Sequence, residues 1–228
     1  MAQAARGLSA LDLASDGAQL HRGAALSILA LLEELCTGAA PLPGIRLAEV
    51  GALGPHLSAK GCIGSIAASV VPDARPVRAV AFDKSPGVNW ALGWHQDRTI
   101  ALRQRCEVPG FSPWTCKAGV PHAEPPFALI AAMVTLRIHL DYVDEENAPL
   151  RIALGSHEEG LVAQSEIPAV LARGAEAVCL ARPGDVWAYR TPILHASERS
   201  RSGARRRVLQ VDYSADRLPP PLEWALEA

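Results

Sequence analysis

A β-sandwich or barrel buttressed by N-terminal helices is the fold class that this sequence predicts. Three observations predict it. Helical spacing of apolar residues is confined to the first third of the chain. From residue 76 onward, short β-branched and aromatic runs alternate with Gly, Pro and Asn/Asp turns. The length of 228 residues suits one domain with a sizeable core. The expected organisation is a single domain: a helical buttress over 1–75, a mainly β core with flanking helices over 76–214 and a tail over 215–228.

The elements follow in order. Leu20, Ala24, Ile28, Leu31 and Leu35 recur every three or four residues, which predicts a helix within 10–40, ended by Gly38 and the Pro41/Pro43 pair. A second helical stretch covers 47–70, broken near 51–55. Residues 77–82 read as a strand between Pro76 and the Ser85-Pro86-Gly87 turn. Residues 93–97 are extended, 105–121 are loop, and 125–133 start a short helix at a proline pair. A long strand over 134–143 turns at 144–148 and returns over 150–154 as its hairpin partner, closed by Gly155-Ser156-His157. A short helix near 168–173 and strands over 177–180, 186–189 and 206–213 complete the list.

Composition narrows the function. A net charge of −2 gives no basic footprint for nucleic acid. No apolar run reaches the roughly 18 residues of a membrane span. The longest, residues 24–32, is interrupted by Ser27 and followed by Glu33 and Glu34. No basic leader with a cleavage site precedes it, so a cytoplasmic location is expected. Cys36, Cys62, Cys106, Cys116 and Cys179 are scattered without a C-x-x-C pair, which fits buried or partly buried reduced thiols.

Trp94-His95-Gln96-Asp97 carries the chemistry. In a strand, residues i and i+2 share a face, so His95 and Asp97 project side by side. A downstream histidine completes two imidazoles and one carboxylate on one face of a metal, the arrangement of non-haem iron oxygenases. His122, His139, His157 and His195 are available; the setting of His195, between a turn-and-strand and an arginine-rich strand, favours it. An isolated H-x-D is as readily a hydrogen-bonded pair. Arg206 adds weight: a guanidinium inside the apolar run 206–213 needs an anionic partner, which a dicarboxylate supplies through a bidentate pair. Ser197 faces the same way as His195 and can donate to that carboxylate. Arg205 and Arg207 read as a solvated edge.

The ordered set His95-x-Asp97, Asn147-x-Pro149-Leu150, Gly155-Ser156-His157, Gly184-Asp185, His195-x-Ser197 and Arg206 resembles the phytanoyl-CoA dioxygenase-like family over roughly 76–214. The resemblance implies a double-stranded β-helix (jelly-roll, cupin-like) core behind the N-terminal helices. It implies Fe(II) on His95, Asp97 and His195, with 2-oxoglutarate and O2 as co-substrates. The far carboxylate of 2-oxoglutarate pairs with Arg206 and Ser197, and succinate and CO2 are released as a C–H bond is oxidised. Hydroxylation is the default outcome, and the presence of Asp97 argues against halogenation. Gln96, Trp114 and Thr135 are the further co-substrate contacts expected. One departure is visible: the turn usually reads Asn-Gly and here reads Asn147-Ala148, where alanine tolerates positive φ poorly. The competing reading is a metal-binding cupin-like protein, either a zinc hydrolase or a non-catalytic binding protein, since His and Asp also suit zinc.

Lys84, Asn89, Trp90, Arg98, Lys117, His122 and Arg137 are the candidate contacts to a small-molecule substrate. Lys84 and Lys117 are two of only three lysines; either one facing the pocket with Arg98 or Arg137 predicts an anionic substrate. Thr135, Arg137, His139 and Asp141 alternate with Leu136, Ile138 and Leu140, so the polar set faces either solvent or the barrel interior. His139 and His157 read as structural. A monomer or homodimer is expected.

Overall fold

The computed structural model describes residues 10–35 and 44–226. Cys36 and the predicted helix stop at Gly38, Pro41 and Pro43 lie outside the described residues. Two antiparallel sheets face each other, and a small third sheet caps one side. The first has the strand order β1 (Ala18–His21), β11 (Val186–Arg190), β8 (Val134–His139), β13 (Arg206–Ser214), β3 (Arg75–Lys84) and β2 (Ile45–Leu47). The second runs β10 (Glu176–Cys179), β9 (Leu150–Ala153), β12 (His195–Ser197) and β4 (Leu92–His95). The third is β5 (Ile100–Ala101), β7 (Val120–Ala123) and β6 (Trp114–Lys117). This is the jelly-roll of the predicted fold class.

Period-two alternation gives the six-stranded sheet its two faces. Leu136 and Ile138 of β8, Leu209, Val211 and Tyr213 of β13, and Ala79 and Ala81 of β3 form the outer face. It is covered by Ile28, Leu32, Leu53, Leu57, Ile63 and Ala67 from the N-terminal third, which holds α1 (Leu29–Leu35), α2 (Gly54–Leu57) and α3 (Gly64–Ala68). Tyr213 donates its hydroxyl to the Leu57 carbonyl at 3.1 Å, satisfying the one polar atom it brings into this layer. The inner face instead carries Arg78, Lys84, Arg137, Arg206, Gln210 and Asp212. Of the two readings of the alternating strand, the interior one holds: all six residues of β8 are buried. Between the sheets, Leu150, Ile152, Ala177, Cys179, Trp187 and Tyr189 fill the β9–β11 side, which leaves the β3–β4 side for a cavity.

The sequence-based elements need three corrections. Residues 18–21 are not helical; they pair with β11, Leu20 opposite Trp187, because a strand this short shows the same spacing as a helix turn. Residues 150–154 do not return beside β8. β9 pairs with β10 and β12, so the chain crosses between sheets at 144–149. The predicted loop 105–121 contains β6 and the start of β7. The short helix after the proline pair forms as α4 (Phe127–Ala131), and the one near 168–173 as α5 (Ile167–Arg173). Cys62, Cys106, Cys116 and Cys179 are free; Cys116 is exposed rather than buried. No helix among the described residues is long and apolar enough to cross a membrane.

Candidate metal centre

His95 and His195 are cross-strand partners on β4 and β12, with ring centroids 4.3 Å apart. Asp97 follows β4 by two residues. Ligand atoms of His95, Asp97 and His195 lie within 4.8 Å of one another, close enough for one ion to draw them together. Each imidazole has its Nδ1 tied to a backbone carbonyl: His95 to Gly93 at 2.7 Å and His195 to Ile193 at 3.0 Å. A carbonyl only accepts, so Nδ1 carries the proton and Nε2 keeps its lone pair for a metal. Burial pushes His195 down to about 4, so it is neutral at physiological pH. Burial opposes ionisation of Asp97, yet Arg78 and the two imidazoles hold it below the usual carboxylate range. His195 and Asp97 therefore stand in the protonation states that a divalent ion requires.

Several turns hold these strands in place. Ser156 donates to the Ala153 carbonyl at 2.7 Å and accepts from the Leu194 amide at 2.8 Å, fixing the residue before His195. Asp185 accepts from the amides of Gly23 and Arg182 and from Arg22, tying the β11 turn to the N-terminal segment. Asn147 donates to the Tyr142 carbonyl at 3.1 Å and accepts from the Ser200 hydroxyl at 3.0 Å. Ala148 has φ +51, a conformation that alanine adopts at some cost, and its carbonyl accepts from both Arg206 and Ser197. The Asn147-Ala148 turn thus differs in residue type but keeps the left-handed geometry.

A cavity of about 370 Å³ opens over His95, Asp97 and His195. Arg206 lines it at 2% exposure, donating through Nη1 to the Ala148 carbonyl while Nε has no partner. Burial and the neighbouring Arg137 push it down to about 9, still charged at neutral pH. Lys84, its cross-strand partner at 1% exposure, donates to the Ser197 hydroxyl at 3.0 Å and the Glu198 carbonyl at 2.8 Å, with the Trp90 ring 4.9 Å away. Burial, with Arg206 and Arg137, pushes Lys84 down to about 7. Arg137 donates to Gln210 at 2.9 Å, lies over Phe82, and leaves Nε buried without a partner. Among the described residues no carboxylate lies within ion-pair distance of these three cations. A buried, uncompensated cluster of this kind is costly alone and fits an incoming dicarboxylate.

The structure separates the sequence-predicted contacts. Lys84, Trp90, Arg98, Lys117, Arg137, Ser197 and Arg206 line the cavity. Lys84 sits at the Arg206 end, where the co-substrate is expected, rather than with a substrate. Arg98 is exposed and paired with Glu124 at 2.7 Å. Gln96 borders the cavity, but its amide donates to the Gly160 and Pro192 carbonyls and accepts from the Val162 amide. It is the residue between His95 and Asp97, and the strand's alternation turns it away from them. Thr135 is spent on Thr191 and Asp212, at 3.0 and 3.1 Å. Trp114 packs in a separate apolar cluster against residues such as Ile100, Phe111 and Leu222. Asn89 clasps the Ser200 backbone in both directions. His122 is fully buried on β7 and does not line the cavity.

Residues the sequence reading passed over also belong here. Arg78 bridges Asp97 at 3.4 Å and Asp212 at 2.5 Å. The argument applied to Arg206, a guanidinium inside an apolar strand, applies equally to Arg78 in 77–82 and was the available signal. Arg46 of β2, Gln210 and Phe82 complete the wall; nothing local marks them.

Gln96→Ala is expected to destabilise the fold by about 2–4 kcal/mol, because it strands a buried amide and two carbonyls. It should leave the KM for 2-oxoglutarate within twofold. Urea melts and co-substrate titrations check the pair of expectations; a stable variant with a raised KM would restore the co-substrate role.

Jelly-roll sheets holding a His-x-Asp and a distal His opposite a buried arginine define a class, the iron- and 2-oxoglutarate-dependent oxygenases. The chain belongs to the phytanoyl-CoA dioxygenase (PhyH) family, whose model matches residues 59–208. Among solved structures it resembles EctD from S. alaskensis in its apo form, at 15% identity and TM-score 0.65, covering 92% of this chain and 77% of that one. It also resembles AviO1 from Streptomyces viridochromogenes Tue57, at 20% identity and TM-score 0.60, covering 91% and 94%. A third is HygX from Streptomyces hygroscopicus with nickel and 2-oxoglutarate bound, at 16% identity and TM-score 0.57, covering 89% and 84%. At these identities the likeness is one of fold. No curated protein matches the sequence. Iron and 2-oxoglutarate are the metal and co-substrate of this family fold, and the donor set and the uncompensated cations fit both.

Proposed function

We propose that this protein is a hydroxylase: it inserts one oxygen atom of O2 into a C–H bond of a small organic substrate while 2-oxoglutarate becomes succinate and CO2. The observation that carries the reading is an intact two-histidine, one-carboxylate set sharing a cavity with a buried arginine that has no carboxylate partner. Bound Fe(II) supplies dioxygen activation, with 2-oxoglutarate as the source of two electrons. The chain's own residues do the rest. His95, Asp97 and His195 would hold the metal at the wall of the cavity. Arg206, Lys84 and the Ser197 hydroxyl hold the far carboxylate, which orients the other end of the co-substrate toward the ligands. Phe82, Trp90, Leu92 and Leu150 line the cavity and exclude water from it.

Two of the similar folds are those of a carbocyclase, SnoK, and an epimerase, SnoN, both from nogalamycin biosynthesis. The test therefore reads product mass as well as turnover. Purified protein with Fe(II), 2-oxoglutarate and O2 is screened against small metabolites for succinate formation. The expected product is one oxygen atom heavier than its substrate. A product two hydrogens lighter points to ring closure, and one of unchanged mass to epimerisation; either overturns the hydroxylase assignment. No succinate under air from any mixture overturns the oxygenase reading itself.

Lys84 adds a pH dependence. The dianionic co-substrate binds best while the amine is charged. Affinity is therefore highest below about 7, the free-protein value of Lys84. It falls as pH rises above that, by at most about tenfold per pH unit for one linked proton. Lys84→Met is expected to remove this slope between pH 6.5 and 9, read as the KM for 2-oxoglutarate. The stability sign is opposite. The unfolded amine titrates near 10.5, so the unfolded chain binds more protons between about 7 and 10.5, and the co-substrate-free fold gains stability as pH rises through that window.

A further inference from the structure

We propose that the substrate is a small organic anion, a carboxylate or phosphate ester, whose acid group is seated by Arg46 and Lys117 at the outer end of the metal cavity. The inference rests on the oxygenase reading above and names the substrate class for that site. Uncompensated positive charge in the cavity falls into two groups. Lys84, Arg137 and Arg206 form the inner one, where each feels the charge of another. Arg46 and Lys117 form the outer one. The inner group is accounted for by the co-substrate. The outer group is not.

Cross-strand register shows why one ligand does not serve both. Arg46 faces Val80, Val80 faces Gln210, and Gln210 faces Arg137 along one row of the sheet. Arg46 and Arg137 are thus three strand spacings apart, about 14 Å. A five-carbon dicarboxylate anchored at Arg206 and the metal does not extend to Arg46.

Neither outer cation is an ordinary solvated surface group. The Arg46 Nε is buried without a partner, and its Nη1 reaches only the Gly44 carbonyl at 3.5 Å. Lys117 is half-buried, with its Nζ donating to Thr99 Oγ1 at 3.0 Å, and Asp97 on its side of the cavity. Among the described residues neither has a carboxylate within ion-pair distance. Asp97, the carboxylate nearest Lys117, is committed to the metal and to Arg78. Burial lowers both cations from their ordinary values, the sign expected of charges that lack a counter-ion. Access is provided as well: Arg46 and Arg78 also line an adjoining cavity of about 580 Å³, so Arg46 stands where the two spaces meet. An acid group at this point leaves its attached carbon skeleton within the cavity that His95, Asp97 and His195 also line.

The test uses Ni(II)-loaded full-length protein saturated with 2-oxoglutarate, so that the inner cations are occupied and no turnover occurs. Inorganic phosphate is the probe, titrated by calorimetry and by paramagnetic broadening of its phosphorus resonance. Wild type is expected to bind phosphate near the metal, with broadening. Arg46→Met/Lys117→Met should weaken that binding at least tenfold, while affinity for 2-oxoglutarate stays within twofold and Arg105→Met behaves as wild type. The two single variants, each with a melting temperature, cover the case in which the double variant is unstable. A second arm screens small carboxylic acids, each beside its primary amide, for stimulation of succinate release by the iron enzyme. Hits should fall among the acids and disappear in the double variant. Equal phosphate binding by wild type and double variant, no binding by wild type, or hits among amides that the variant retains would each overturn the anion site. Failure of wild type to bind 2-oxoglutarate overturns the oxygenase reading instead, and is seen before phosphate is added.

Discussion

Asp97→Ala is expected to abolish turnover, with kcat/KM falling by on the order of a thousandfold or more, since loss even of a residue supporting a metal ligand costs roughly 10–100-fold. Asp97 is the only anionic donor in the ligand set. Without it, two neutral imidazoles must hold a dication beside Arg78, which loses its contact to Asp97 and keeps Asp212. Metal affinity and local electrostatics therefore fail together. The measurement is iron stoichiometry after dialysis, beside the weak visible band that Fe(II) and 2-oxoglutarate form without oxygen. His195→Ala should lose the same band. Full iron loading and an intact band in both variants would sink the metal assignment. The fold should survive, because the ligands lie on the cavity side and the apolar layer over the N-terminal helices is untouched.

Arg206→Met separates function from stability. The KM for 2-oxoglutarate is expected to rise roughly 100-fold with kcat changed far less. A bidentate charge-assisted pair is worth about 3 kcal/mol, and about 1.4 kcal/mol is tenfold in affinity. The protein without co-substrate should become more stable, by about 1–4 kcal/mol, because a buried guanidinium with an unpartnered Nε is replaced by an apolar chain of similar length. Opposite signs in one variant are hard to obtain from a structural residue, whose loss lowers both. An unchanged KM, or a loss of stability, would remove Arg206 from the co-substrate site. Lys84→Met should follow the same pattern more weakly, since Lys84 spends two of its donors on Ser197 and Glu198.

The limits of sequence reading show in particular residues. His95 and Asp97 were readable because strand alternation places i and i+2 on one face without knowledge of any other strand. Gln96 lies between them, and the same rule turns it away; proximity in sequence made it look like a contact. Arg206 was legible as a charge inside an apolar run, and Arg78 carries the same signal. Trp114 was placed through a family resemblance and Thr135 through the alternation of its strand. Their positions depend on how β6 joins the small sheet and on Asp212 and Thr191, neither of which is local.

Local chemistry in the sequence by itself determined the metal-ligand types expected, the β-sandwich or barrel class and the need for an anion at Arg206. Each follows from a two-residue period, a turn residue or the cost of burying a charge. Tertiary structure alone decided that β9 leaves β8 for the other sheet, that Lys84 joins Arg206, and that Arg46 lies three strands from Arg137 along one row of the sheet. Those outcomes depend on which strands pair and in what register, and pairing is set by the burial of whole faces between sheets, which no short window of sequence contains.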